Sequence, residues 1–264
     1  YMKQVMKNMF VAKRIESNNI SPVVERIDWT SGTVYQYYKD DIDMFETDGD
    51  GLLVNKFYVK TSSDLVFKCL WNNNGAASTE EPYFQPGSYG SNGIYQGDDG
   101  YKWKFMYTVP VSLRNRFLTS EYMPVSNSLK SAYYSSGEIT QINITNGGSG
   151  YDAVNSFIVV TVAGDGRGVT ANITSAQITN GTITDVIIKP GYSGNNYTYA
   201  NVAISTSIGF GAILECSTSP VGGHGFDPIS ELGAVHNMYV CNFDGTESGY
   251  IPGSTDNNIV YHQV

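Results

Sequence analysis

Residues 100–110 read Gly100-Tyr-Lys-Trp-Lys-Phe-Met-Tyr-Thr-Val-Pro110. Side chains of an extended chain alternate between two faces, so Tyr101, Trp103, Phe105 and Tyr107 are expected on one side and Lys102, Lys104, Met106 and Thr108 on the other. Large aromatics on a single face predict a strand half-buried in a sheet. Pro110 ends it, because its ring nitrogen has no N–H for the ladder. Such a face needs a substantial core to lie on, and 264 residues are enough for one large or two modest domains. The expected class is α+β, mostly β: an antiparallel sheet core with an N-terminal helix and an inserted glycine-rich β module.

Upstream of this string, Met2, Val5, Met6, Met9 and Phe10 recur at helical spacing while Lys3 and Lys7 face away, which predicts an amphipathic helix capping the sheet. Val23 to Tyr35 reads as an extended segment entering a turn. Phe57-Tyr-Val59 and Leu65-Val-Phe-Lys-Cys69, separated by Thr61-Ser-Ser-Asp64, predict a hairpin. Asn72 to Gly97 is a long Gly, Ser, Asn and Pro loop.

Downstream, Gly137-Glu-Ile-Thr-Gln-Ile-Asn-Ile-Thr-Asn-Gly-Gly-Ser-Gly150 repeats as Gly181-Thr-Ile-Thr-Asp-Val-Ile-Ile-Lys-Pro-Gly-Tyr-Ser-Gly194, and Gly166-Arg-Gly168 repeats as Gly209-Phe-Gly211. Each copy reads as strand, Gly-Ser-Gly turn, strand and second glycine turn. Two copies are too few for a solenoid, so a sandwich-like module is expected. The organisation is therefore a core over 1–134, an inserted module over 135–216 and a return to the core over 217–264, the last expected to be C-terminally incomplete. Asp227, Pro228 and Gly233 punctuate a short helix in the return as N-cap, first residue and stop, and Asn237–Asn242 and Ile259–Tyr261 read as strands. Tyr1 stands where an initiator Met is absent, so further sequence is expected upstream.

Composition excludes several classes of function. The formal charge of −9 gives the chain no general electrostatic reason to seek nucleic acid or an anionic membrane. No apolar run approaches the roughly 18 residues of a membrane span, and no secretory signal is present. Cys69, Cys216 and Cys241 are too scattered for a disulfide framework or zinc site, in keeping with a reducing cytoplasm.

No constellation reads as an active site, and no cofactor or metal is expected. Asp41-x-Asp43 and Asp48-x-Asp50 lack the remaining ligands of a calcium loop. His224, between glycines and near Asp227, suits a general base or ligand on its residue type alone, but a turn histidine bonded to backbone is the simpler reading. The acidic pairs Glu80-Glu81 and Asp98-Asp99 leave a glycan hydrolase as one alternative. Exposed Tyr, Asn and Gly loops leave a host-surface glycan-binding module as another. Tyrosine is abundant, and Trp29, Tyr35, Tyr37 and Tyr38 are the candidates for a subunit contact, since tyrosine joins a large contact area to a polar tip. On that reading, alanine at Tyr37 and Tyr38 weakens assembly and spares the melting temperature; an equal loss of stability marks them as core.

Several stretches carry a more specific likeness: Asn8-Met-Phe-Val-Ala-Lys-Arg-Ile15, Asp28-Trp-Thr-Ser-Gly-Thr-Val-Tyr35, Tyr58-Val59 with Val66-Phe-Lys-Cys69, Gly97 to Pro110, Glu121-Tyr-Met-Pro-Val125 and the return Gly222-Gly-His-Gly-Phe-Asp-Pro228. In this order the chain resembles the baseplate wedge subunits of T4-like contractile-tailed phages, specifically the family conventionally numbered eight in its cyanophage branch. The resemblance implies a non-enzymatic virion protein, homodimeric, bound to other baseplate wedge proteins in the tail baseplate and assembled in the bacterial host cytoplasm. It also implies a part in relaying the change that triggers sheath contraction. The family's N-terminal leader is expected upstream of Tyr1, and no catalytic residues carry over.

Overall fold

A computed structural model describes residues 15–83, 93–126, 136–244 and 258–263. The expected helix at 2–10 and the stretch 8–14 of the family likeness lie outside them. The first strands are β1 (Ile20–Glu25), β2 (Tyr58–Lys60), β3 (Leu65–Trp71), β4 (Ile94–Gln96), β5 (Lys102–Thr108) and β6 (Tyr122–Pro124). Next come β7 (Ile142–Ser149), β8 (Val159–Gly164), β9 (Arg167–Asn172), β10 (Ile178–Thr179), β11 (Thr182–Ile183), β12 (Ile187–Asn195), β13 (Ala200–Ser205) and β14 (Phe210–Cys216). Two more, β15 (His236–Asp244) and β16 (Asn258–Gln263), complete the set. Among the described residues all pairings between these strands are antiparallel and helices are short, so the fold is α+β and mostly β.

The central sheet has the order β2-β3-β5-β4. Its hairpin turn closes with Asp64 at φ 59°, a left-handed conformation that aspartate tolerates. The aromatic string forms β5 as expected, but its alternation breaks. Val66 pairs with Tyr107 and Phe67 with Phe105, which leaves Met106 as the extra residue of a β-bulge. Trp103 and Phe105 thus share a face with Cys69 and Phe67, whereas Tyr107 turns to the opposite face with Val66, Lys68 and Lys104. There its hydroxyl donates to the Pro124 carbonyl at 3.0 Å. Both faces are covered: Trp103, Tyr107, Phe67 and Met106 are all buried, and Tyr35 stands edge-on to Trp103 at 5.7 Å.

A second sheet, β16-β15-β1-β6, joins strands from both halves of the chain, so residues beyond 217 complete the layer begun at Ile20. An unexpected helix, Val111–Phe117, follows Pro110 directly and buries Phe117 against Val23, Met238 and Val240. Pro110 ends the strand and also stands at the N-cap of this helix.

The module has its own apolar cluster, drawn from residues 139–216. Its two copies interleave. Strand β7 of the first copy pairs with β14 of the second, β12 of the second pairs with β9 of the first, and β8 pairs with β13. The sheets β12-β9-β8-β13 and β14-β7 thus each draw strands from both copies, with β8 and β9 also meeting within the first. The recurring glycines have a steric cause: a Cβ at Gly166 would stand 2.3 Å from the Tyr197 ring, and one at Gly209 2.5 Å from the Tyr151 ring. Both tyrosines are buried in the module's cluster.

Candidate functional site

The module meets the core at a second bulge. Cys69 pairs with Trp103 and Trp71 with Lys102, so Leu70 is left out of the ladder. Its carbonyl accepts from the Gln141 and Asn143 side-chain amides, at 2.6 and 3.3 Å. Asn74 likewise donates to the Ile144 carbonyl at 3.2 Å.

Tyr37 and Asp40 fasten the other side of the junction. The Tyr37 hydroxyl donates to Glu215 at 3.1 Å, Lys39 pairs with the same carboxylate at 3.3 Å, and the ring packs edge-on to Trp71 at 5.1 Å. Burial pushes the Tyr37 phenol above its ordinary range. One carboxylate oxygen of Asp40 accepts the Thr218 N–H at 2.7 Å.

Tyr38 faces a buried polar cluster. The Lys68 ammonium lies 4.8 Å from the centre of its ring, and the His224 imidazole stands edge-on at 5.2 Å. Lys68 pairs with Glu231, and their side chains are 0% and 3% exposed. The second oxygen of Glu231 accepts the N–H groups of Gly225 and Asp227, at 2.7 and 3.2 Å. Asp227 caps the helical turn Pro228–Glu231, which projects Glu231 inward, as the Asp-Pro punctuation predicts. Lys104 lies directly opposite Lys68 in the ladder.

Both lysines, His224 and Tyr38 are shifted by their surroundings. Burial depresses the Lys68 ammonium pKa while Glu231 opposes the fall. Burial, then repulsion from Lys68, brings Lys104 down to about 8. Burial and both lysines hold the His224 imidazole neutral, well below its ordinary range. Burial pushes the Tyr38 phenol up to about 12. His224 Nδ1 has no hydrogen-bond partner, so the expected bond from this nitrogen to backbone is not made.

Of the four aromatic candidates for a subunit contact, Tyr35 is buried, whereas Trp29, Tyr37 and Tyr38 are half-buried and also make contacts within the chain. Tyr35 is 1% exposed within the main core, which leaves it no surface to offer a partner. Trp29 Nε1 donates to Ser78 Oγ at 3.0 Å. Tyr37 and Tyr38 make the intramolecular contacts above, so alanine at either removes packing within the chain.

The acidic pairs are occupied in turns. Asp99 accepts from the backbone N–H groups of Thr79 and Tyr101 at 2.9 and 3.0 Å, Glu80 from Asp98 N–H and the Tyr95 hydroxyl, and Glu81 from Ser62 N–H. Asp48 accepts the N–H groups of Asp50 and Leu52 at 2.9 Å, an Asx turn. Among the described residues no group of three or more His, Cys, Asp or Glu side chains is placed to hold a metal ion, and no helix is long and apolar enough to cross a membrane.

The chain matches no family model, no curated protein and no solved structure.

Sequence reasoning singled out Tyr38 and His224 but missed Lys68, Lys104 and Glu231, the charged members of the same cluster. The available signal was a lysine in the middle of an apolar strand: Val66-Phe-Lys-Cys-Leu-Trp71 leaves Lys68 no polar neighbour to share a solvent face with.

Proposed function

We propose that the chain is a structural subunit of a contractile-tailed phage baseplate wedge, homodimerising and binding other wedge proteins to build the baseplate and relay the change that triggers sheath contraction. The observation that carries this reading is the ordered set of stretches from Asp28 to Pro228 that resembles that family. These stretches supply the main core: Tyr35, Tyr58, Val66, Phe67, Trp103, Tyr107 and Met123 all lie in one cluster.

Two features of the surface support it. Glu80, Glu81 and Asp99 are engaged by backbone N–H groups, which favours a turn-building role over acid catalysis. The module leaves large apolar side chains in solvent, Phe157 at 91% and Phe210 at 74%, of the kind that protein partners cover.

The test is affinity purification of the tagged chain from infected host cells, with mass spectrometry of the partners and light scattering of the complex. Recovery of wedge proteins with two copies of this chain per complex is the expected result. A lone monomer carrying bound polysaccharide overturns the reading in favour of glycan recognition.

A further inference from the structure

The Lys68–Glu231 pair is enclosed to a degree unusual for opposite charges. Neither side chain has more than 3% exposure, and the Tyr38 ring covers the ammonium. In such surroundings the ion pair has lost its hydration, and the neutral amine with the neutral acid becomes accessible through one proton shift along their shared hydrogen bond.

The other carboxyl oxygen is arranged differently. Glu231 Oε1 accepts two backbone N–H groups, from Gly225 and Asp227. Two N–H donors aimed at one acyl oxygen form the arrangement that stabilises the negative charge of a tetrahedral intermediate in acyl transfer. The nucleophile lies on one side of the carboxyl group and the oxyanion donors on the other.

We propose that Lys68 and Glu231 are joined by an intramolecular isopeptide bond, formed by the folded chain without a further reagent. The Lys68 ammonium passes a proton to Glu231 Oε2, and the free Nζ electron pair attacks Cδ. Negative charge collects on Oε1, facing the Gly225 and Asp227 N–H groups. A second proton leaves Nζ for the departing Oε2 hydroxyl, the Cδ–Oε2 bond breaks and one water is released. Nitrogen keeps one hydrogen, the carbonyl re-forms on Oε1, and nothing is oxidised or reduced. Holding amine and acid together supplies an effective concentration of about 10⁵–10⁸ M, and exclusion of water favours condensation over hydrolysis. The product ties the return segment covalently to the central sheet, whatever the chain's partners are.

The experiment is mass spectrometry of the whole chain under denaturing, reducing conditions, both as purified and after prolonged warm incubation in the folded state. The expected mass is one water short of the sequence. A tryptic digest should show no cleavage after Lys68 and a branched peptide joining the Lys68 and Glu231 segments. Lys68→Arg should restore the full mass, and Glu231→Gln should lose ammonia in place of water. Full sequence mass with normal cleavage after Lys68 overturns the proposal. So does a water loss that maps to one of the Asp-Gly steps at Asp48, Asp50, Asp99, Asp165 or Asp244, where an aspartate can cyclise on its own backbone. The wild-type measurement decides the matter even where a variant fails to fold.

Discussion

The central sheet and the glycine-rich module are both antiparallel β-structures held by different means. In the sheet, Trp103, Phe67, Tyr58 and Tyr107 fill the space between layers, and charge is enclosed with them as Lys68 and Glu231. In the module, the buried residues are mainly Ile, Val and Ala around two tyrosines, and several of its largest apolar side chains, Phe157 and Phe210 among them, stand in solvent. The sheet depends on side-chain volume. The module depends on its ladders and on glycines that let backbone approach Tyr151 and Tyr197.

That contrast is broken most severely in the sheet. Trp103→Ala removes a fully buried ring in contact with Tyr35 and Tyr101, and should destabilise by about 3–5 kcal/mol. Urea unfolding measures this directly. A loss below about 1 kcal/mol would mean that the sheet collapses around the void and is not set by volume.

Next comes the enclosed charge. Lys104 has its folded pKa brought down to about 8 from 10.5, so between these values the unfolded chain binds a proton that the folded chain does not. Its contribution to stability therefore rises with pH across that window, by up to about 3 kcal/mol in total. Buried Cys69, Cys216 and Tyr38 act in the opposite sense above pH 9 to 10, because the unfolded chain loses protons there that the folded chain keeps. The informative quantity is the difference between wild type and Lys104→Met, since those other groups are common to both. Stability curves that run parallel from pH 7 to 10 would show that Lys104 keeps an ordinary pKa. His224 gives the acid-side counterpart: its depressed folded pKa predicts a loss of stability as pH falls below 6.5, which His224→Phe should reduce.

How far these features could be read from the sequence depends on whether their cause is local. The strand at 102–108, the hairpin around Asp64, the capped turn at Asp227-Pro228 and the repeat follow from side-chain period, turn chemistry and glycine spacing. The bulges at Met106 and Leu70 belong to the pairing of two strands and have no marker in either strand alone. The same bulges send Tyr107 to the other face and free the Leu70 carbonyl for the module. Lys104 fits a polar position of an alternating strand and Lys68 stands alone among apolar neighbours, but nothing local says that their shared face is covered by the chain returning 163 residues after Lys68 with Glu231. The helix at 111–117 was hidden because Pro110 serves as both stop and start.

The glycine argument sharpens the comparison at intermediate size. Gly166→Ala and Gly209→Ala each drive a methyl group into a buried tyrosine ring and should cost about 1–3 kcal/mol. Gly49→Ala, where nothing lies within 4 Å of the added carbon, should be close to neutral. Gly209 also sits at φ 98°, a left-handed backbone conformation that Gly166 does not share, so its alanine variant should be the costlier of the two. A large cost at one and none at the other would mean that the copies have diverged in packing despite their matching strand pairs.

The smallest effect on stability is expected where the module displays its largest side chains. Phe157 and Phe210 are 91% and 74% exposed, so replacing both with Ser removes little that folding has buried. Surface changes of this kind usually lie within about 0.5 kcal/mol, and the melting temperature should stay unchanged. Exposed phenyl groups are costly to leave in water, and they are stabilising only when another surface covers them. The double variant should therefore keep its fold while recovering fewer partner proteins in the affinity purification. Retained recovery would remove this end of the module from the contact surface, and a drop in stability comparable to that of Trp103→Ala would mean that both rings pack within the chain, erasing the contrast between module and sheet.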